Sequence, residues 1–238
     1  MDLSYIESLY YELGKQIEGY NKTSVSPFVI HFGEKFPKQP NEGILFVGRA
    51  TNGNSNGSSI GNNYERQLSN ALKPRNYNNI KWVEEQFSQN DSYSRRSAFW
   101  RVVRNISKEF YGDNWYEQIG WSDLYKIAPS KRGKTNANPD KELMSLQKNN
   151  CWEILEAEIK LLSPKFVVLF VGDWISDFLY FINHANTQSI DKRMWGIGNC
   201  YETKLYEIDN RYFVRTEHPQ GKKEDEHINC LLKMMKSI

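Results

Sequence analysis

A small set of side chains in this sequence combines reactive chemistry with positions where strands end. His218 opens the run His-Pro-Gln-Gly-Lys-Lys, residues 218–223, just after an apolar strand segment. Imidazole changes charge near neutral pH, so a histidine placed there can exchange a proton or a hydrogen bond with a ligand; it can equally fill a turn. Asp123 opens the run DLYKI. An ionised carboxylate only accepts hydrogen bonds, so it suits an amino group or a water molecule, or else it caps a strand. Arg49 follows the apolar run ILFVG and is a permanent cation that cannot take a proton. It can serve a ligand or pair with a nearby acid. Thr51 and Asn52 add a hydroxyl and an amide to the same loop, and Lys126 lies three residues beyond Asp123 as a further candidate for ligand contact. Tyr64 and Trp121 offer ring faces on which a base could stack, although most of the chain's tryptophans and tyrosines read as core. Lys131, Arg132, Lys134, Lys222 and Lys223 would suit a phosphate rim, or a solvated run of charge.

Several chemistries are excluded. There is no G-x-S-x-G nucleophile elbow and no glycine-rich phosphate loop with its Lys-Ser/Thr pair after the first strand. The three cysteines, Cys151, Cys200 and Cys230, are too few for a disulfide framework and too far apart for a C-x-x-C clip, which fits thiols in a reducing cytoplasm. With 31 basic and 29 acidic residues the net charge is +2, so any contact with nucleic acid rests on local patches. The longest apolar run, FVVLFV at 166–171, falls far short of the roughly twenty residues of a membrane helix. The first residues read as a helix and not as a signal peptide.

The elements that must position these groups follow from periodicity. Residues 2–18 carry apolar side chains at three- and four-residue spacing, the mark of an amphipathic helix. The continuous apolar runs 44–48 and 166–172 predict strands buried on both faces. Helices are predicted over 64–72, 97–110, 139–162 and 173–182, the third capped by Asn138 and ended by Pro164. A short strand is predicted at 123–127, and a hairpin joins 204–208 to 212–216 through Asp209 and Asn210. Alternating strands and helices predict one α/β domain over 1–238, with its core at about 44–221 and a helical N-terminal extension at 2–18. In such folds ligands bind beyond the carboxyl ends of the strands. The loops there, 49–63, 128–138, 173 with its neighbours and 218–223, hold nearly all the residues named above.

Four blocks, in order and spacing, resemble the uracil-DNA glycosylase superfamily, most closely its iron–sulfur-cluster branch. ILFVGRATNG at 44–53 resembles the branch's apolar strand and G-E-A-P-G-like loop. DLYKIAP at 123–129 is similar to its N-V-V-K-C-R-P strand. CWEILEAEIKLLSPKFVVLFVG at 151–172 resembles its long helix, proline and apolar strand, and HPQG at 218–221 stands where the family has a histidine–proline loop. The resemblance implies a three-layer α/β/α fold around a mostly parallel four-stranded sheet. It also implies hydrolysis of the bond between a flipped-out base and deoxyribose, in DNA or another base-containing ligand, by a monomer in the cytoplasm.

The site departs from the family pattern. Arg49 replaces the acid that follows the glycine of the first motif, leaving Asn52 as a neighbour able to position water. Asp123 replaces an asparagine that reads the base edge, and it faces Arg49 as a possible ion-pair partner. His218 keeps the place of the histidine that stabilises the departing base. The catalytic set implied is therefore His218, Asp123 and Asn52, with Arg49, Thr51, Tyr64, Trp121 and Lys126 around the ligand. After Pro219 come Gln220, Gly221, Lys222 and Lys223, where glycosylases often carry a hydrophobic wedge. Cys151 matches one cluster ligand, but Ile127 replaces another and the N-terminal pair is absent, so no cluster or other cofactor is expected. The alternative is a catalytically silent binding protein of the same fold, with Arg49 plugging the base pocket.

Overall fold

The computed structural model describes residues 3–51, 64–72, 80–129, 138–172, 174 and 188–238. In chain order the elements are α1 (Leu3–Gln16), β1 (Val25–Pro27), β2 (His31–Phe32), β3 (Ile44–Gly48), α2 (Tyr64–Ala71), α3 (Lys81–Phe87), α4 (Tyr93–Arg96) and α5 (Ala98–Tyr111). After a 3-10 segment at Gly112–Glu117 come β4 (Ile119–Asp123), β5 (Ile127–Pro129), α6 (Lys141–Leu162) and β6 (Phe166–Phe170). The chain ends with β7 (Asp191–Trp195), a 3-10 turn at Ile197–Asn199, β8 (Tyr201–Ile208), β9 (Arg211–Thr216) and α7 (Glu224–Met235).

The main sheet has seven strands in the order β2-β4-β3-β6-β9-β8-β7, with a separate antiparallel pair, β1 and β5. It is mixed where the sequence predicts four mostly parallel strands. β3, β6 and β9 run parallel, whereas β7, β8 and β9 form an antiparallel meander. Of the parallel strands, β3 and β6 are the continuous apolar runs, and every residue of both is buried. Asp209 and Asn210 turn β8 into β9 with φ of 53° and 60°, the left-handed pair that a two-residue hairpin requires.

Contacts divide the chain into two units. The first comprises Met1–His31, Arg49–Tyr77 and Ser122–Leu161; the second comprises Phe32–Gly48, Asn78–Trp121 and Leu162–Ile238. In the second unit, Ile44, Phe46, Phe166, Val168, Phe170 and Val214 share a core with Trp100, Val103 and Ile106 of α5 and Leu231 and Met234 of α7. These strand residues are two apart, so they line one sheet face and the helices cover it. Ser97 caps α5 by accepting the Trp100 N–H, and Gly112, with φ of 70°, ends it. Arg101 of α5 makes a bidentate pair with Glu224 at the start of α7. Arg104 makes another with Glu84, whose carboxyl is held below its ordinary range chiefly by that hydrogen bond.

In the first unit, α1 buries Ile6, Leu9, Tyr10, Leu13 and Ile17, the stripe its spacing predicts. Two predicted boundaries move. α6 is capped by Asp140, whose Oδ1 accepts the Leu143 N–H at 2.9 Å, and not by Asn138. The strand predicted at 123–127 ends at Asp123, and the chain turns through Leu124–Lys126 before β5. Gly120 lets this strand pack closely. A Cβ there would stand 3.0 Å from both Leu45 and Leu162, so the strand at Ile119–Asp123 depends on glycine for close packing. The helix predicted at 173–182 lies outside the described residues, apart from position 174.

Candidate functional site

The first unit carries the ends of two neighbouring strands. Arg49 directly follows β3, and its carbonyl accepts the Tyr125 N–H at 2.9 Å. That bond ties the turn after β4 to the segment after β3, so Asp123 and Arg49 leave the sheet at the same end. Asp123 is 3% exposed, while Arg49 and Thr51 are half-buried. Asn52 lies outside the described residues, as do Lys131, Arg132 and Lys134.

Beneath these ends lies a closed polar network. Lys126 and Glu158 are both fully buried, with Nζ 2.6 Å from Oε2. Lys126 also donates to the Ser122 hydroxyl at 2.6 Å, and that hydroxyl donates to the same Glu158 oxygen at 2.6 Å. Tyr10 donates to Phe28 carbonyl at 2.6 Å and lies 3.3 Å from the second Glu158 oxygen. Lys126, predicted to touch a ligand, is therefore placed otherwise. Its ammonium is held inside the fold because α6 supplies a carboxylate there, and it has no surface to offer. It braces the turn that follows Asp123.

Cys151 and Gln147 of α6 complete this interior. The Cys151 thiol donates to Gln147 Oε1 at 3.1 Å and accepts the Lys126 N–H at 3.2 Å. Gln147 pairs with both backbone groups of Ile127 at 2.9 Å, as a strand neighbour would. Burial pushes the Cys151 thiol up to about 12. Iron–sulfur clusters take thiolates, commonly four, so a single protonated thiol bonded to an amide does not fit one. Among the described residues no three His, Cys, Asp or Glu side chains are grouped to hold a metal ion. Tyr64 donates to the Tyr10 carbonyl at 2.9 Å, and its ring fills the space above Gly14 in α1. Burial raises its phenol. Its ring thus packs α2 against α1.

The second unit carries His218. β9 ends at Thr216, and the His218 Nδ1 then accepts the Gln220 N–H at 3.3 Å. A ring nitrogen that accepts is unprotonated, so this bond places a ring proton on Nε2. Lys222 fixes the loop from below. Its ammonium donates to the His218 carbonyl at 2.9 Å, lies 3.7 Å from Glu217 and stands 5.0 Å over the Tyr201 ring. Lys222 is thus largely engaged within the loop, whereas Lys223 is exposed and 3.1 Å from Glu226. Trp121 is half-buried and packs edge-on against Trp100 at 4.8 Å, with Trp82 and Phe99 at 6.4 Å.

One residue of this region was not predicted. His227, in the first turns of α7, is fully buried. Its Nε2 is 2.7 Å from the Thr216 hydroxyl, which is 2.8 Å from the Thr203 hydroxyl, which accepts the Trp195 indole N–H at 2.9 Å. Its ring stacks on Trp195 at 4.0 Å. Burial first, then the charge of Lys222 and the electrostatic influence of the His218 ring, push it down to about 3, so it stays neutral. The signal was legible: His227, Cys230, Leu231, Met234 and Met235 repeat at helical spacing, which marks the buried face of α7.

Residues 29–229 match the family profile of the Uracil DNA glycosylase superfamily. The chain belongs to this superfamily. The matched region takes in β3, β4, β6 and β9, the His218 loop and the start of α7, so Arg49, Asp123, Lys126, Glu158, His218 and His227 lie within the superfamily's span. No curated protein matches the chain. As a superfamily member it has a glycosylase-type fold, and no helix among the described residues is long and apolar enough to cross a membrane.

Proposed function

We propose that the protein is a DNA N-glycosylase that takes a deaminated or damaged base out of the stack and hydrolyses its bond to deoxyribose. The observation that carries this reading is the His218 loop. With Nδ1 occupied by the Gln220 N–H, the imidazole offers its Nε2–H to a carbonyl oxygen on the departing base. As the C1′–N bond breaks, its electron pair moves onto the base, and a fixed donor stabilises the negative charge that develops there. The sugar becomes oxocarbenium-like, water adds at C1′, and one proton of that water passes to an acceptor. Asp123 supplies that acceptor or holds the water, with the amide of Asn52 as a further candidate for the same role. On the same reading Arg49 and Thr51 border the ligand, Trp121 offers it a ring face, and Lys131, Arg132, Lys134 and Lys223 serve phosphates, whereas Tyr64 and Lys222 act as supports through the contacts that already hold them.

The second reading is a binding protein that has kept the fold without the chemistry. It is favoured by Arg49, a cation where the family has an acid after the β3 glycine. One experiment separates the two: purified protein on labelled single- and double-stranded oligonucleotides carrying uracil, hypoxanthine or xanthine, or a G·U or G·T mismatch, followed by alkali cleavage. Abasic product that is lost on His218→Ala supports the enzyme. No product, with binding that weakens as salt rises, supports the binding protein. Neither product nor binding refutes both.

A further inference from the structure

Base extrusion needs something to take the place of the base, and the His218 loop supplies no apolar side chain after Pro219: it continues Gln220, Gly221, Lys222, Lys223. The second unit holds such a side chain on a different element. Ile197 heads the turn between β7 and β8 and is 75% exposed, more than any other large apolar residue described. Scattered surface apolar residues are ordinary, so exposure alone decides nothing. The turn that carries Ile197 has a defined left-handed backbone closed by a hydrogen bond. Gly196, Gly198 and Asn199 have φ of 82°, 69° and 55°, and the Asn199 N–H closes the turn on the Gly196 carbonyl at 2.9 Å.

The turn is also anchored to the His218 loop. A Cβ on Gly196 would lie 2.5 Å from the Tyr201 ring, so the turn packs directly on that tyrosine. The opposite link is Lys222, whose ammonium stands 5.0 Å over the Tyr201 ring and donates to the His218 carbonyl. Tyr201 is therefore shared: the turn of Ile197 packs on it, and the lysine that holds the His218 carbonyl stands over it. The exposed turn itself, Ile-Gly-Asn-Cys, carries no carboxylate to repel a polyanion. The nearby Glu202 is matched by Lys192 and Lys204 at 2.6 and 2.8 Å, and Glu217 by Lys222.

We infer that Ile197 is the wedge of this protein: it enters the base stack beside the target nucleotide and fills the gap that the flipped base leaves. Apolar wedges of this size part a base step while the protein's other contacts offset the loss of stacking. The inference rests on the glycosylase reading but has its own readout. The probe is a duplex with uracil, hypoxanthine or xanthine at one site and 2-aminopurine as its 3′ neighbour, whose fluorescence rises on unstacking.

Wild-type protein should raise the fluorescence. Ile197→Ala should abolish the rise and slow excision from duplex by about ten- to a hundredfold, the scale of a lost unstacking contribution. Excision from single strands, where there is little stack to part, should be unchanged, and Ile197→Leu should restore duplex activity. Equal fluorescence and duplex excision in wild type and Ile197→Ala would overturn the inference, as would an equal loss on single strands. If wild type excises no base from either form, the glycosylase reading fails and fluorescence alone decides. An Ile197-dependent rise then upholds the wedge, and no rise overturns it.

Discussion

Lys126→Met is the sharpest test of how the structure uses its interior charge. Both partners of the Lys126–Glu158 pair are fully buried, and among the described residues the ammonium is the one cation against Glu158; the hydroxyls of Ser122 and Tyr10 are its other partners. Removing it strands a carboxylate inside the first unit, which costs about 3–5 kcal/mol, a large part of the roughly 5–15 kcal/mol that stabilises a typical domain. Glu158→Leu strands the ammonium and should cost a similar amount. The double variant Lys126→Met/Glu158→Leu should recover most of the loss. Tyr10 keeps its bond to the Phe28 carbonyl at 2.6 Å, so the remaining deficit is mainly the orphaned Ser122 hydroxyl, about 1–3 kcal/mol. Urea unfolding of the four proteins at pH 7, compared at matched slopes, measures the cycle. A coupling of at least about 3 kcal/mol is expected. Single variants within 1 kcal/mol of wild type, or additive losses, would refute the closed network and return Lys126 to the surface.

Three further outcomes follow from the buried groups. His227 has a folded value of about 3 against the usual 6.5, so the unfolded chain binds more protons between those values. Stability should therefore fall as pH drops through that window, by up to about 1.4 kcal/mol per unit, and urea midpoints of His227→Gln should show a correspondingly shallower slope. Cys200 is exposed whereas Cys151 and Cys230 are buried with their thiols pushed up, so one thiol should react quickly with Ellman's reagent in the native protein and three after denaturation. Three fast native thiols would contradict the buried placement. Gly196→Ala should destabilise the β7–β8 turn by about 1–3 kcal/mol, because it forces a side chain into φ of 82° against the Tyr201 ring; an unchanged thermal midpoint would contradict that packing.

Elements defined by continuous or periodic apolar residues were legible in the sequence. β3 coincides with its run and β6 ends two residues before its own, α1 and α5 fall within a residue or two of their predicted ends, and Asp209–Asn210 turns the hairpin as its chemistry requires. What was missed had weak local signals. β7, Asp-Lys-Arg-Met-Trp, alternates charges that pair along its edge, so nothing in its composition marks a strand. The turn 124–126 reads as a strand because its residues are apolar or long, and only the buried Glu158 on a distant helix explains why Lys126 goes inward. Asp123 and Arg49 in the first unit and His218 in the second fall at or just beyond strand ends, the positions that the α/β reading gives them. The Nδ1–Gln220 bond and the anchoring by Lys222 depend on loop geometry that sequence does not encode locally.

The most direct test of the central claim is the single-turnover rate of base excision by wild type and His218→Ala on the best duplex substrate, with DNA affinity measured alongside. If His218 stabilises charge on the departing base, the rate should fall about a hundred- to a thousandfold while affinity changes little. A His218→Ala protein that excises the base at the wild-type rate would contradict the account.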